Sequence, residues 1–470
     1  MKIKLLPLCL LFSGFLFAQT PCENGFAGSY PCDGYDLQSE IDLGILSAGA
    51  GNDSWGWTDP DTNKEYAIMC VSNGTAFIDI SDPVNPIYLG KLPTQTDPST
   101  WRDAKVYNNH AFIVSEASGH GMQIFDLTRL RNVNNPPETF TNDAHYDGFG
   151  RAHNIVINEE NGYAYAVGTS SFSGGPHIVN IQNPTNPVFE SGYSASDYTH
   201  DAQVVFYEGP DPDHAGKELF IGSNENEVVI LDVTDKNNIQ MISNVTFTST
   251  SYSHQGWLTE DHRFFLMGDE LDEIDFGFNT RTVIFDFTDL DSPFQTFDYT
   301  GPTTAIDHNG YVRGDTYYLA NYHAGLRAID ISEIDNQVMT EVGYFDSRPS
   351  DNSTGFGGAW SVYPYFASGN IVISDVDRGF LLVKDPNFLS TESQSKQAFS
   401  VTPNPAQDFI TIKSQETPIS EIRILNTLGQ EVILIENNNT MGRTLDISSL
   451  NIGMYFVVLN GNTTKKIIKK

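Results

Sequence analysis

The chain has 470 residues, of which 26 are Lys or Arg and 60 are Asp or Glu, giving a net charge of −34 at pH 7. A surface of that sign repels polyanions, so nucleic acid and anionic lipid are disfavoured as partners. From Ala398 onward seven basic residues face six acidic ones, and before Gln19 there are two lysines and no acid, so the segment between carries −37.

At the N-terminus, Lys2 and Lys4 precede an apolar run from Leu5 to Phe17 broken only by Pro7, Ser13 and Gly14. This is the pattern of a secretory signal, residues 1–18, with cleavage expected after Ala18. The run is too short to span a bilayer and no later stretch reaches roughly 18 apolar residues, so no transmembrane segment is expected in the mature chain. Cys9 leaves with the signal, and Cys22, Cys32 and Cys70 remain. In an oxidising compartment Cys22 and Cys32 are expected to form a disulfide closing a short Gly- and Pro-containing loop. Cys70, inside the run Tyr66-Ala67-Ile68-Met69-Cys70-Val71, reads as a small buried hydrophobe.

From residue 19 to 389 one pattern recurs, an apolar strand ending in Asp followed by a turn. Its instances are Phe77-Ile78-Asp79, Ile124-Phe125-Asp126, Ile178-Val179-Asn180, Ile230-Leu231-Asp232, Ile284-Phe285-Asp286, Ala328-Ile329-Asp330 and Leu382-Val383-Lys384-Asp385. Spacings of 44 to 54 residues suit a four-stranded blade with its loops, and helical periodicity is nearly absent. The fold class expected is therefore all-β, a seven-bladed β-propeller. The Asp residues of the pattern are assigned to turn geometry, because Asp bonds its own turn backbone. The seventh unit runs into Pro386 without a fourth strand, and Leu37 to Leu46 is expected to supply it, removing an exposed edge.

Each unit's first strand opens with a large residue followed by a small or polar one. The series is Trp55-Gly56, Arg102-Asp103, His153-Asn154, His200-Asp201, His254-Gln255, His308-Asn309 and Trp360-Ser361. Equivalent positions in successive blades ring a central channel, so these residues are expected on one channel rim. The rim supports three readings: a polar ring holding blades in register, a ligand-binding surface, or a metal site on His153, His200, His254 and His308. In the third, Asp103 and Asp201 would coordinate or orient the imidazoles and the chain would be a metal-dependent extracellular hydrolase or lyase. The acidic run Asp269, Glu270, Asp272, Glu273 and Asp275 offers oxygen ligands for calcium but lacks an EF-hand pattern. There is no Gly-x-Ser-x-Gly elbow, no HExxH pair and no phosphate-cradling Gly-Lys-Ser/Thr loop, which leaves a binding module ahead of an enzyme.

Residues 390–397 are polar and aperiodic, as a linker is. Residues 398–470 are expected to form a small β-sandwich with strands Phe409 to Lys413, Ile419 to Leu425, Glu431 to Ile435, Thr444 to Ile447 and Gly453 to Leu459. Here Pro403-Asn404-Pro405, Ile424-Leu425-Asn426-Thr427-Leu428-Gly429-Gln430, Leu445-Asp446-Ile447-Ser448, Gly453-Met454-Tyr455 and the basic end Lys465 to Lys470 resemble the type A sorting domain of the type IX secretion system. The resemblance implies a Bacteroidetes-type bacterium, engagement of the type IX secretion machinery, and a protein secreted or attached to surface lipopolysaccharide on the outer membrane. The preceding body resembles the choice-of-anchor B family, with its LVIVD-type repeats, through Trp55-Gly56-Trp57-Thr58-Asp59-Pro60, His120-Gly121-Met122-Gln123, His153-Asn154-Ile155-Val156, His254-Gln255-Gly256-Trp257 and Asn321-Tyr322-His323-Ala324-Gly325. That resemblance implies a propeller at the cell surface and names no activity.

Overall fold

In the computed structural model the described residues are 19–388 and 399–470, except 403, 405, 415–417, 427, 428, 452, 461 and 462, with backbone alone at 399, 400, 436–439, 463 and 464. The secretory signal, the linker at 390–397, and Pro403, Pro405, Thr427 and Leu428 of the sorting motifs lie outside the described residues. The chain divides into two compact units between Phe388 and Leu389.

Among the described residues the first unit is built of seven sheets, antiparallel except where Glu138–Thr139 pairs parallel with Gly90 and Lys91. Their leading strands are Gly51–Thr58, Arg102–Tyr107, Asn154–Asn158, Asp201–Phe206, Ser253–Leu258, Gly310–Arg313 and Ala359–Tyr363. Each lies at the edge of its own sheet and packs beside the leading strand of the next, the seventh beside the first. Second and third strands are apolar on both faces, as in Glu65–Val71, where every residue is buried. Such unbroken runs are what a strand with packing on both sides requires. One core cluster accordingly joins Ile68 and Phe77 of the first sheet to Ile113 and Phe125 of the second, and another joins Ile221 and Ile230 of the fourth to Met267 and Phe285 of the fifth. Burying a side chain of this size contributes about 1.5–3 kcal/mol.

In five of the seven sheets the repeated Asp closes the third strand with the same bond. The carboxylates of Asp79, Asp126, Asp232, Asp286 and Asp330 accept from the backbone N–H two residues on, at 2.8–3.0 Å. The fourth strand of the seventh sheet comes from the N-terminus: Asp36–Asp42 pairs with Gly379–Lys384. It is shorter than expected, since the chain turns away after Asp42 into the turn at Leu43 to Ser47. Ahead of it, Tyr30–Asp33 extends the sixth sheet, Cys32 pairing with Phe345, and Cys22 is joined to Cys32 by a disulfide. Cys70 is fully buried.

The second unit holds a three-stranded sheet (Phe399–Thr402, Phe409–Ser414, Gly442–Asp446) and a four-stranded sheet (Glu431–Thr440, Ile419–Asn426, Gly453–Leu459, Thr463–Lys469). Ile410 and Ile412 of one share a core with Ile422, Ile424, Val457 and Leu459 of the other. The basic end is itself a strand, paired along Gly453–Leu459, with Ile467 buried on its inner face.

Candidate functional site

Four histidines stack in an arc where leading strands begin. Ring centroids are 4.1 Å apart for His153 and His200, 4.2 Å for His200 and His254, and 4.3 Å for His254 and His308, and Trp360 lies 4.8 Å beyond His308. All four imidazoles are buried. Nδ1 of His200 donates to the His254 carbonyl at 3.1 Å, and Nδ1 of His308 donates to the Trp360 carbonyl. A carbonyl only accepts, so these nitrogens carry the proton and, in the neutral ring, Nε2 keeps a lone pair. Burial, reinforced by neighbouring imidazoles, pushes His200 and His254 well below the usual histidine range, and burial takes His308 down to about 3.

Two glutamates complete this narrow mouth, each directly following its sheet's second strand. Glu116 follows His110–Ser115 and accepts from His153 Nδ1 at 2.7 Å; that bond, above all, holds its carboxyl below the usual range. Glu270 follows Phe264–Asp269 and accepts from the Tyr322 hydroxyl at 3.0 Å. Its Oε2 is 3.7 Å from His254 Nε2 and its Oε1 is 3.7 Å from His308 Nε2. Burial pushes the Glu270 carboxyl up to about 7. A pocket of about 240 Å³ opens here, lined by both glutamates, His153, His200 and the rings of Trp101, Tyr198 and Tyr252.

One residue further along the strands lies a polar layer, Asp53, Asp103, Asn154, Asp201, Gln255, Asn309 and Ser361, all buried. It ties neighbouring leading strands together. Asp103 accepts from Ile155 N–H at 2.9 Å, Asn154 donates to the His200 carbonyl at 3.1 Å, Gln255 bonds both backbone groups of Gly310, and Asn309 donates to Asp53 at 3.3 Å. Lys105 stands among the acids, Nζ 2.6 Å from Asp103 and 4.0 Å from Asp53. Burial, then the Asp103 charge, raises Asp53 to about 7 against the pull of Lys105, and burial raises Asp201 well above its usual range.

The expected single rim is not one surface. Trp55 lies away from the histidines because the register of its strand shifts between Gly51 and Ser54, so that Asn52 and Asp53 take the positions matching Arg102 and Asp103. Arg102 turns into the protein instead: it is 2% exposed, with Nη1 2.9 Å from His120 Nε2 and Nη2 donating to Thr94 at 2.6 Å. Trp55 belongs to a third layer with Lys105, Trp257, Tyr311 and Tyr363. Its ring lies 5.9 Å from Tyr311 and 5.1 Å from Tyr363, Trp257 is 5.0 Å from Tyr311, and Lys105 Nζ is 4.6 Å from the Trp55 ring centre. Trp55, Lys105, Trp257 and Tyr363 of this layer floor a second, wide mouth, a cavity of about 840 Å³ bordered by Glu159, Glu160 and Glu260.

The acidic run at Asp269 to Asp275 does not gather as a calcium cage. Asp269 accepts from the N–H groups of Ser251 and Tyr252, Asp272 pairs with Arg281 Nε at 2.6 Å, Asp275 accepts from the Ser251 hydroxyl, and of the five Glu270 lines the narrow mouth. Among the described residues, metal-competent donor sets occur at His254, Glu270 and His308 and at Asp211, His214 and Asp291. In the second set, His214 is already bonded to Asp291 and to Lys217. His153 and His200, expected as ligands, stack beside the first set without joining it.

Residues 400–470 match the secretion system C-terminal sorting domain. This sorting domain directs its chain to the type IX secretion machinery, so the protein is secreted or attached at the outer-membrane surface. No curated protein matches the chain. Solved structures similar to it include the β-propeller domain of Cps50 (Swd1) from Myceliophteria thermophila, 11% identical over 74% of this chain and 98% of that one, TM-score 0.48. A protein from Lactobacillus plantarum is 10% identical over 80% of this chain and 96% of that one, TM-score 0.46. A functionally unknown protein from Desulfotomaculum acetoxidans is 13% identical over 64% and 87%, TM-score 0.44.

Proposed function

We propose that the chain is a seven-bladed, LVIVD-type β-propeller of the choice-of-anchor B kind, carried outward by a signal at 1–18 and a β-sandwich sorting domain at 398–470, in a Bacteroidetes-type bacterium. The propeller, residues 19–389, acts as a binding module at the surface, released or held on lipopolysaccharide, and it takes its ligand at the mouths of its channel. The observation that carries this is the wide mouth: an 840 Å³ cavity floored by Trp55, Trp257, Tyr363 and Tyr365 and bordered by carboxylates. Ligand pockets fall in this size range and combine apolar rings with a few placed polar groups. Flat rings stack on pyranose faces, and Glu159, Glu160 and Glu260 accept from hydroxyls while repelling anions. The ligand class is therefore a neutral or cationic saccharide. A glycan array probed with the full chain, followed by titration of tryptophan fluorescence, tests this. Trp55→Ala should weaken saccharide binding at least about tenfold, the loss of one stacked aromatic contact; absence of any array signal sinks the reading.

A second reading, a metal-dependent extracellular hydrolase or lyase, is favoured by the His254, Glu270 and His308 set alone. It requires turnover of a polysaccharide or ester that a chelator abolishes. For export, truncation after Gln397 should trap the protein in the periplasm, read by fractionation; normal surface appearance would overturn the assignment of the tail.

A further inference from the structure

We propose that the narrow mouth is a binding site for one divalent transition metal, held by His254 Nε2, His308 Nε2 and Glu270, with Zn²⁺ as the reference ion. The argument begins with lone pairs. The His308 ring spends its proton on the Trp360 carbonyl, so its Nε2 presents a bare lone pair to Glu270 Oε1 at 3.7 Å, an oxygen that already accepts from Tyr322. With the carboxyl ionised, two acceptors face each other with no proton between them and repel; a cation between them reverses the sign and holds the carboxyl in that ionised form.

Distance supports the same conclusion. At 3.7 Å the pairs Glu270 with His254 and Glu270 with His308 are too far apart for hydrogen bonds. Ligand atoms about 2.1 Å from a tetrahedral metal lie about 3.4 Å from one another; the two pairs, each made by its own carboxylate oxygen, are a few tenths of an ångström wider, and the three donor atoms lie within 4.8 Å of one another. Two imidazoles and one carboxylate suit zinc, cobalt or nickel better than calcium or magnesium, which take oxygen ligands.

The groups around the ligands are those a metal site uses. The carbonyl of Trp360 fixes the tautomer and tilt of His308, and Tyr322 fixes Glu270. On its open side Glu270 borders the 240 Å³ pocket with Tyr198, Tyr252 and Trp101, the side from which water or an incoming donor would approach. The sites at the two mouths stand independently, and loss of saccharide binding at the wide mouth leaves this inference untouched.

The test uses the full chain, free of any polyhistidine tag, stripped with chelator and titrated with Zn²⁺ alone by calorimetry, with Co²⁺ absorption as a second readout of coordination. The expected result is one equivalent bound. Outer-shell partners cost about 10–100-fold in affinity, so removing a ligand by His254→Ala, His308→Ala or Glu270→Gln should cost at least about a hundredfold. His214→Ala, in the other donor set, should keep the full equivalent. Glu270→Gln nearly preserves size, and circular dichroism confirms its fold, so loss of metal there is not loss of structure. No Zn²⁺ uptake by the stripped chain, an equivalent retained in Glu270→Gln, or an equivalent lost in His214→Ala each overturns the proposal.

Discussion

The two mouths of the channel are built from the same seven leading strands, yet they carry different chemistry. The narrow one holds four stacked imidazoles and two glutamates in little space. The wide one holds aromatic faces and carboxylates around a cavity more than three times larger. Between them, Lys105 stands in a layer of buried acids. Strand periodicity produces the difference: positions one and three after the histidine share the channel face, while the histidine itself sits at the strand entry. A change in one layer therefore need not disturb the others, which makes the layers separable by mutation.

The largest effect is expected where the layers meet. Lys105→Met removes the cation beside Asp103 and Asp53 and the charge that opposes the upward shift of Asp201. Breaking a buried ion pair from one side costs about 3–5 kcal/mol, and denaturant unfolding should show a loss of that order. A loss under about 1 kcal/mol, the worth of an exposed pair, would show that the layer is wetter than its burial implies.

Next in size is a double dissociation between the mouths. Trp55→Ala should lower saccharide affinity about tenfold or more while one equivalent of Zn²⁺ still binds. Glu270→Gln should do the reverse. If either variant damages both, the mouths are energetically coupled across the Lys105 layer and the comparison fails.

How much of this could be read from the sequence depended on whether the repeat kept its register. The third-strand Asp recurs with the same spacing to its turn, so the sheets and the N-terminal closing strand were legible from residues such as Asp79, Asp126 and Asp286. The histidines share a strand-entry position and were found together for the same reason. Trp55 was misplaced because the irregularity between Gly51 and Ser54 breaks the alignment in the first unit, and neither residue type nor spacing reveals it. Glu116 and Glu270 were missed as partners of the histidines, although both occupy the position after the second strand. Alignment on that position, where the fourth sheet has Glu225, would have exposed them. The C-terminal basic run concealed a strand, since Lys465 and Lys466 mask the inward Ile467.

The last predicted effect is a pH dependence assigned to the middle layer. Asp53 has a native pKa of about 7, raised by burial and then by Asp103, against about 3.9 for an unfolded aspartate. Between those values the unfolded chain has released this proton while the native chain retains it. Raising the pH through that window therefore favours unfolding, and the penalty levels off above about pH 7. Asp53→Asn removes the titration, so the mutant's stability should fall less than wild type from pH 4.5 to 7, by at most about 1.4 kcal/mol per pH unit. Parallel stability curves for the two proteins would mean that Lys105 keeps Asp53 ionised throughout. The middle layer would then be a permanent charge balance, and the mouths would be separated by ion pairing alone.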